Sequence, residues 1–136
     1  MRQTAPAFAL ALLAVLTGLA GCGTSNQETA AWNMNEADPL SRPVQVAWTS
    51  ARASRCGFIF EPAQLRANYL AQMQRLGTPA AEYRRIEEAY DYTYQSVTET
   101  VRGQRGYCTK EKTDAIRNDL NQYIAGNFAH RASPAD

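Results

Sequence analysis

The chain has 136 residues, with 14 Lys and Arg against 13 Asp and Glu, a length that holds one small domain and no more. Near-zero net charge leaves no long-range field to steer the protein onto nucleic acid, and a single histidine excludes a histidine-rich zinc site. Ten per cent aromatic residues are enough for a modest core, one that a covalent cross-link would help to hold.

Arg2 is the only charged residue before Glu28, and residues 8–20 form an apolar run rich in Ala and Leu that ends in small residues. A charged start, a short apolar middle and a small-residue end describe an export signal; the run is shorter than the roughly 20 residues that span a bilayer. The run closes in Leu19-Ala20-Gly21-Cys22, which resembles the lipobox of bacterial lipoproteins. The resemblance implies that residues 1–21 are a lipoprotein signal peptide, cut before Cys22. It also implies diacylglycerol on the Cys22 thiol and a further acyl chain, of the palmitate kind, on the new amino group. The remaining 115 residues would then be formally neutral, since Arg2 is the only charge lost. Gly23 and not Asp follows the cysteine, which under the family's sorting rule implies the outer membrane, facing the periplasm. Each buried methylene contributes about 0.8 kcal/mol, so two or three chains anchor the protein on a membrane that it does not cross. An uncleaved anchor, or a soluble export product with Cys22 incidental, is the competing reading of these residues.

Residues 22–40 comprise the lipidated cysteine and a polar stretch with no sustained periodicity, closing in Asp38-Pro39. This composition predicts a disordered tether, with a reach of about 23 to 25 Å by random-coil scaling. Trp32 stands out within it: it can dip into the membrane interface or dock in a groove of the domain, and the sequence leaves both open.

Residues 41–128 read as a helical domain. Ser41-Arg42-Pro43 looks like a helix start with Ser41 as N-cap, followed by Val44, Ala47, Trp48 and Ala51 on one apolar face, ending near Cys56-Gly57. Phe58-Ile59-Phe60 is a short apolar connector. A second helix opens at Glu61-Pro62, carries Leu65, Tyr69, Leu70, Met73 and Leu76, and stops at Gly77. Thr78-Pro79 repeats the cap-plus-proline signal and begins the longest helix, to Val101, with Tyr83, Ile86, Tyr90, Tyr94, Val97 and Val101 on a narrow seam. After the turn around Gly103 and Gly106, Thr109 caps a last helix bearing Ile116, Leu120, Tyr123 and Ile124. Residues 129–136 are expected to be a loose tail. No strand pattern of convincing length occurs, so the expectation is an all-α bundle of about four helices joined by short turns.

With Cys22 assigned to lipid, Cys56 and Cys108 remain, in a chain bound for an oxidising compartment; a disulfide between them is the simplest reading. A redox or metal-binding pair would want a closer Cys-x-x-Cys spacing and a neighbouring histidine.

Chemistry has few places to reside. His130 falls in the tail, where it is expected to be solvated, so a Ser/His/Asp or Cys/His nucleophile lacks a placed base. Glu87 and Asp91 are four apart on one side of the third helix, as a general acid and base could be. Ion pairing with Arg84 explains them without catalysis. Tyr92 points away from the apolar seam towards Arg85, Glu88 and Glu99, which makes Tyr92, Arg85 and Glu88 a candidate partner contact. Tyr69, Tyr83 and Tyr90 form a candidate ligand seam. No cofactor and no metal are expected.

Cys56-Gly57-Phe58-Ile59-Phe60-Glu61-Pro62, with Leu65, Tyr69, Leu70 and Cys108-Thr109, resembles small exported helical proteins of alphaproteobacteria, a likeness that transfers no catalytic residue. The leading functional expectation is a non-enzymatic, lipid-anchored envelope protein presenting a helical interaction domain to an envelope protein partner in the periplasm. The alternative is a periplasmic binder of a small apolar or aromatic ligand between helices. A carboxylate-dependent envelope hydrolase using Glu87 or Asp91 is the minor one.

Overall fold

The structure, a computed structural model, describes residues 37–133. The signal segment, Cys22, Trp32 and the rest of the tether to residue 36 lie outside the described residues, as do residues 134–136. Within them the chain forms four helices and no strand: α1 (Ser41–Arg55), α2 (Pro62–Arg75), α3 (Ala80–Arg102) and α4 (Lys110–Ile124). The expected all-α bundle is what the sequence folds into.

The helix starts are set by proline and by side-chain caps, though not always the anticipated ones. Thr109 caps α4 as expected, its hydroxyl accepting the Lys112 amide at 3.3 Å. Ser41 does not cap α1. It lies inside the first turn, 2% exposed, and Asp38 does the work instead: its carboxylate accepts the Leu40 amide and its carbonyl the Ser41 amide. Thr78 does not cap α3 either. Gly77, at φ +75°, turns the chain back over α2, so the Thr78 amide and hydroxyl both donate to the Met73 carbonyl and close that helix.

α1 is the central element, packing most extensively on α3, then on α4 and lightly on α2. The expected single apolar face understates it, because Val46 and Ala53 are as fully buried as Ala47, while Val44 is half-buried. Serine, threonine and alanine along α1 let neighbours approach from several sides, since interhelical distance follows side-chain size. Its longer polar side chains are provided for: Gln45 accepts the Ala132 amide, and Arg52 donates to the Tyr107 hydroxyl at 2.7 Å while its guanidinium lies 3.7 Å from the Trp48 ring centroid.

The other helices contribute the residues their periodicity promised: Leu65, Tyr69 and Leu70 from α2, Ile86, Tyr90 and Val101 from α3, Ile116, Leu120 and Tyr123 from α4. Leu76 and Ile124 were expected in the core and are exposed: Leu76 stands just past the end of α2 and Ile124 is the last residue of α4.

The expected loose tail is also corrected over its described part. After α4 the chain turns at Gly126 and folds back, burying Phe128 and Ala132. Phe128 packs edge-on against Tyr69 and stacks on Tyr123, while Tyr69 stacks on Tyr90, a string of aromatic rings that joins α2, α3, α4 and the tail.

Cys56, just past α1, and Cys108, just before α4, are joined by a disulfide with Cα atoms 5.6 Å apart. Beside it Arg55 donates to the carbonyls of Val101, in the last turn of α3, and of Gln104, in the turn that follows.

Candidate functional site

The start of α2 and the middle of α3 enclose a surface cleft of about 430 Å³. Pro62, Ala63 and Arg66 form one side with Glu61 at the lip; Tyr90, Asp91 and Tyr94 form the other. Helical spacing places Glu87 and Asp91 one turn apart on α3, as expected, but their partner is Arg66 across the gap and not Arg84. Arg66 grips Asp91 with two bonds, Nε to Oδ1 at 2.6 Å and Nη2 to Oδ2 at 2.7 Å, and Nη2 also reaches Glu87 at 2.9 Å. Bidentate geometry of this kind is specific to arginine. The bond to Asp91 first, and the bond and charge of Glu87 with it, raise the guanidinium's affinity for its proton further, outweighing partial burial. Glu87 and Asp91 thus hold α2 to α3.

The three tyrosines of the expected seam do not line an opening together. Tyr69 and Tyr90 are 0% and 2% exposed inside the aromatic string, and Tyr83 packs half-buried against the core. Burial pushes the Tyr90 hydroxyl up to about 12, an effect partly offset by the nearby Ser50 hydroxyl, and pushes Tyr69 and Tyr123 higher still. The hydroxyls of Tyr69 and Tyr90 are enclosed without a well-formed hydrogen bond. Only Tyr90 borders the cleft.

A second, smaller groove of about 280 Å³ lies between the α1–α2 connector, α2 and the end of α4. Ile59, completely exposed, and Ile124, about half exposed, stand at its edges over Phe60 and Leu65, with Gln64 and Asn68 as polar rim. Tyr92 is 75% exposed, and Arg85 and Glu88, two turns and one turn before it on α3, are exposed beside it.

Sequence reasoning missed a cluster at the tail. Asp119 is fully buried, and its Oδ1 accepts from His130 Nε2 and from the Ser133 hydroxyl, each at 2.9 Å, while Oδ2 accepts the Ser133 amide at 2.7 Å. His130, expected to be solvated, is held there; its carbonyl also accepts from Arg42 and Tyr123. The cluster contains serine, histidine and aspartate without a relay, because serine and histidine bond the same carboxylate and not each other. A signal existed: Asp119 falls between Ile116 and Tyr123 on the apolar face of α4, where a carboxylate needs dedicated partners.

Among the described residues no helix is long and apolar enough to cross a membrane, and no group of His, Cys, Asp and Glu is arranged to hold a metal ion. Compared with known proteins, the chain matches no family model, no curated protein and no solved structure.

Proposed function

We propose that this protein is a lipid-anchored envelope protein whose helical domain acts by presenting a surface to a protein partner in the periplasm. The observation that carries the reading is the apolar surface on so small a domain: Ile59 wholly exposed beside Ile124 at an open groove, with Tyr92 exposed elsewhere on α3. Apolar side chains gathered at a groove with a polar rim are a common form of protein contact. The lipobox at Cys22 supports the anchor, and the Cys56–Cys108 bridge is in keeping with an oxidising compartment. A photo-crosslinking residue at Ile59 or Tyr92 in living cells is expected to capture one discrete protein, and Cys22→Ser is expected to release the domain from the membrane fraction and reduce capture. Absence of a discrete adduct at both positions overturns the interaction reading. Undiminished membrane association of Cys22→Ser overturns the anchor.

The cleft beside Tyr90 favours a second reading, a binder of a small ligand. Its size falls in the range of small-molecule sites. In this reading the ligand sits between α2 and α3 beside Tyr94, since Tyr69 and Tyr90 are enclosed. Saturable thermal stabilisation by a small molecule, lost in Tyr94→Ala, is the expected result.

A further inference from the structure

The cleft between α2 and α3 combines features that select a ligand charge as well as a size. Glu61, Asp91 and the adjoining Glu87 place three carboxylates around one guanidinium, so the neighbourhood carries a net negative charge even with Arg66 counted in full. An anion is therefore disfavoured: Arg66, the one cation lining the cleft, already has its Nε and Nη2 on Asp91 and Glu87.

The kind of cation follows from which acceptor atoms remain. Both oxygens of Asp91 are engaged by Arg66, which leaves Glu61, at the lip, as the one cleft carboxylate without an ion pair to Arg66. A hard metal ion needs several oxygen ligands converging on it, and one carboxylate does not supply them. A primary ammonium asks for directional acceptors, of which the cleft has equally few. A quaternary ammonium asks for none. It needs negative potential, an aromatic surface and apolar walls, and the cleft has these in the carboxylates, in the half-buried Tyr94, and in Pro62 and Ala63.

We propose that this cleft binds a quaternary ammonium group, with its diffuse charge against Tyr94 and its field balanced by Glu61 and Asp91. The inference rests on the small-ligand reading of the cleft and specifies the ligand's chemistry. The trimethylammonium group can come from a free solute or from a lipid headgroup, and the two sources are separable by experiment.

The test titrates choline, and separately its uncharged isostere 3,3-dimethylbutan-1-ol, into the purified disulfide-bonded chain while amide chemical shifts are followed. Choline is expected to bind saturably, shifting Asp91 and Tyr94, with the neutral isostere about tenfold weaker, as the loss of a cation at an aromatic, negatively charged site implies. Tyr94→Ala and Glu61→Gln are each expected to weaken choline several-fold with the helical spectrum intact, whereas Tyr92→Ala, on the opposite side of α3, leaves it unchanged. Equal binding of the isostere overturns the proposal and leaves the small-ligand reading standing; no binding of either overturns the proposal and removes its support from that reading. Choline binding that is indifferent to both Tyr94→Ala and Glu61→Gln also overturns it. Parallel sedimentation with phosphatidylcholine vesicles identifies the source: capture of the chain assigns a lipid headgroup, and binding of soluble choline without capture assigns a solute.

Discussion

Asp119 gathers three hydrogen bonds at the junction of α4 and the tail. Its carboxylate is fully buried on α4 and survives there because His130 and Ser133 supply three hydrogen bonds. Asp119→Ala strands those donors, and since His130 retains some access to water the cost is expected to be about 2 to 3 kcal/mol in urea unfolding. Asp119→Asn, which keeps one acceptor oxygen, should cost less. Equal stability of Asp119→Ala and the parent protein contradicts this account. The Arg66 clamp is a different case despite its better geometry. A third of Arg66 and half of Asp91 remain exposed, and screened pairs of that kind contribute about 0.5 to 1 kcal/mol. Arg66→Ala is accordingly expected to lower Tm by only a few degrees. Tyr92→Ala, removing a side chain that is 75% exposed, should stay within about 0.5 kcal/mol of the parent; a large drop places its ring in a packing role that its exposure does not suggest.

At the scale of elements, the order and extent of the helices were legible because proline, glycine and apolar spacing act locally. Pro62 at the first position of α2, Gly77 and Gly126 at left-handed turns, and the Ile116-Leu120-Tyr123 stripe each fix structure through their immediate neighbours. What escaped depends on tertiary position. Nothing local says that Asp38, rather than Ser41, meets the open amides of α1, or that the polar side chains of that helix face inward. The tail escaped for the same reason: its glycine, asparagine and serine read as loose chain, and its place comes from Phe128 between Tyr69 and Tyr123 and from His130 and Ser133 on buried Asp119. Tyr94 and Arg66 were individually visible in the sequence, but the cleft they share with Glu61 depends on how α2 crosses α3. The tail's contribution is measurable. Phe128→Ala removes a ring that is 4% exposed and in contact with two others, and is expected to cost about 3 kcal/mol. It should also speed amide exchange in α4 beyond Leu120. A truly loose tail would show neither effect.

The whole molecule is held by a small core, one long covalent loop and several buried tyrosines, and each sets a condition under which it fails. The Cys56–Cys108 bridge closes a loop across 52 residues of separation, which on chain-entropy grounds is worth about 4 kcal/mol; a domain of this size has a total stability of about 5 to 15 kcal/mol. Reduction, or Cys56→Ser with Cys108→Ser, is therefore expected to lower the urea midpoint severely while the oxidised protein stays folded. The alkaline limit comes from the tyrosines. Burial raises Tyr90 to about 12 and Tyr69 and Tyr123 further, against about 10 in an unfolded chain. Above about pH 10 the native state consequently binds more protons than the unfolded state, so stability falls as pH rises. The contribution of Tyr90 is fully present below about pH 10 and is lost as pH rises through about 12. Tyrosinate absorbance from these rings should appear together with loss of helical circular dichroism, not before it. The variants separate the causes. Tyr69→Phe and Tyr90→Phe remove enclosed hydroxyls that lack a well-formed hydrogen bond, so they should be neutral or slightly stabilising at neutral pH and should move the alkaline transition upward. Tyr123→Phe loses the bond to the His130 carbonyl and should cost about 1 kcal/mol at neutral pH. An alkaline midpoint unmoved in the Tyr69→Phe, Tyr90→Phe double variant would transfer the weakness from the aromatic core to loss of positive charge on the surface lysines.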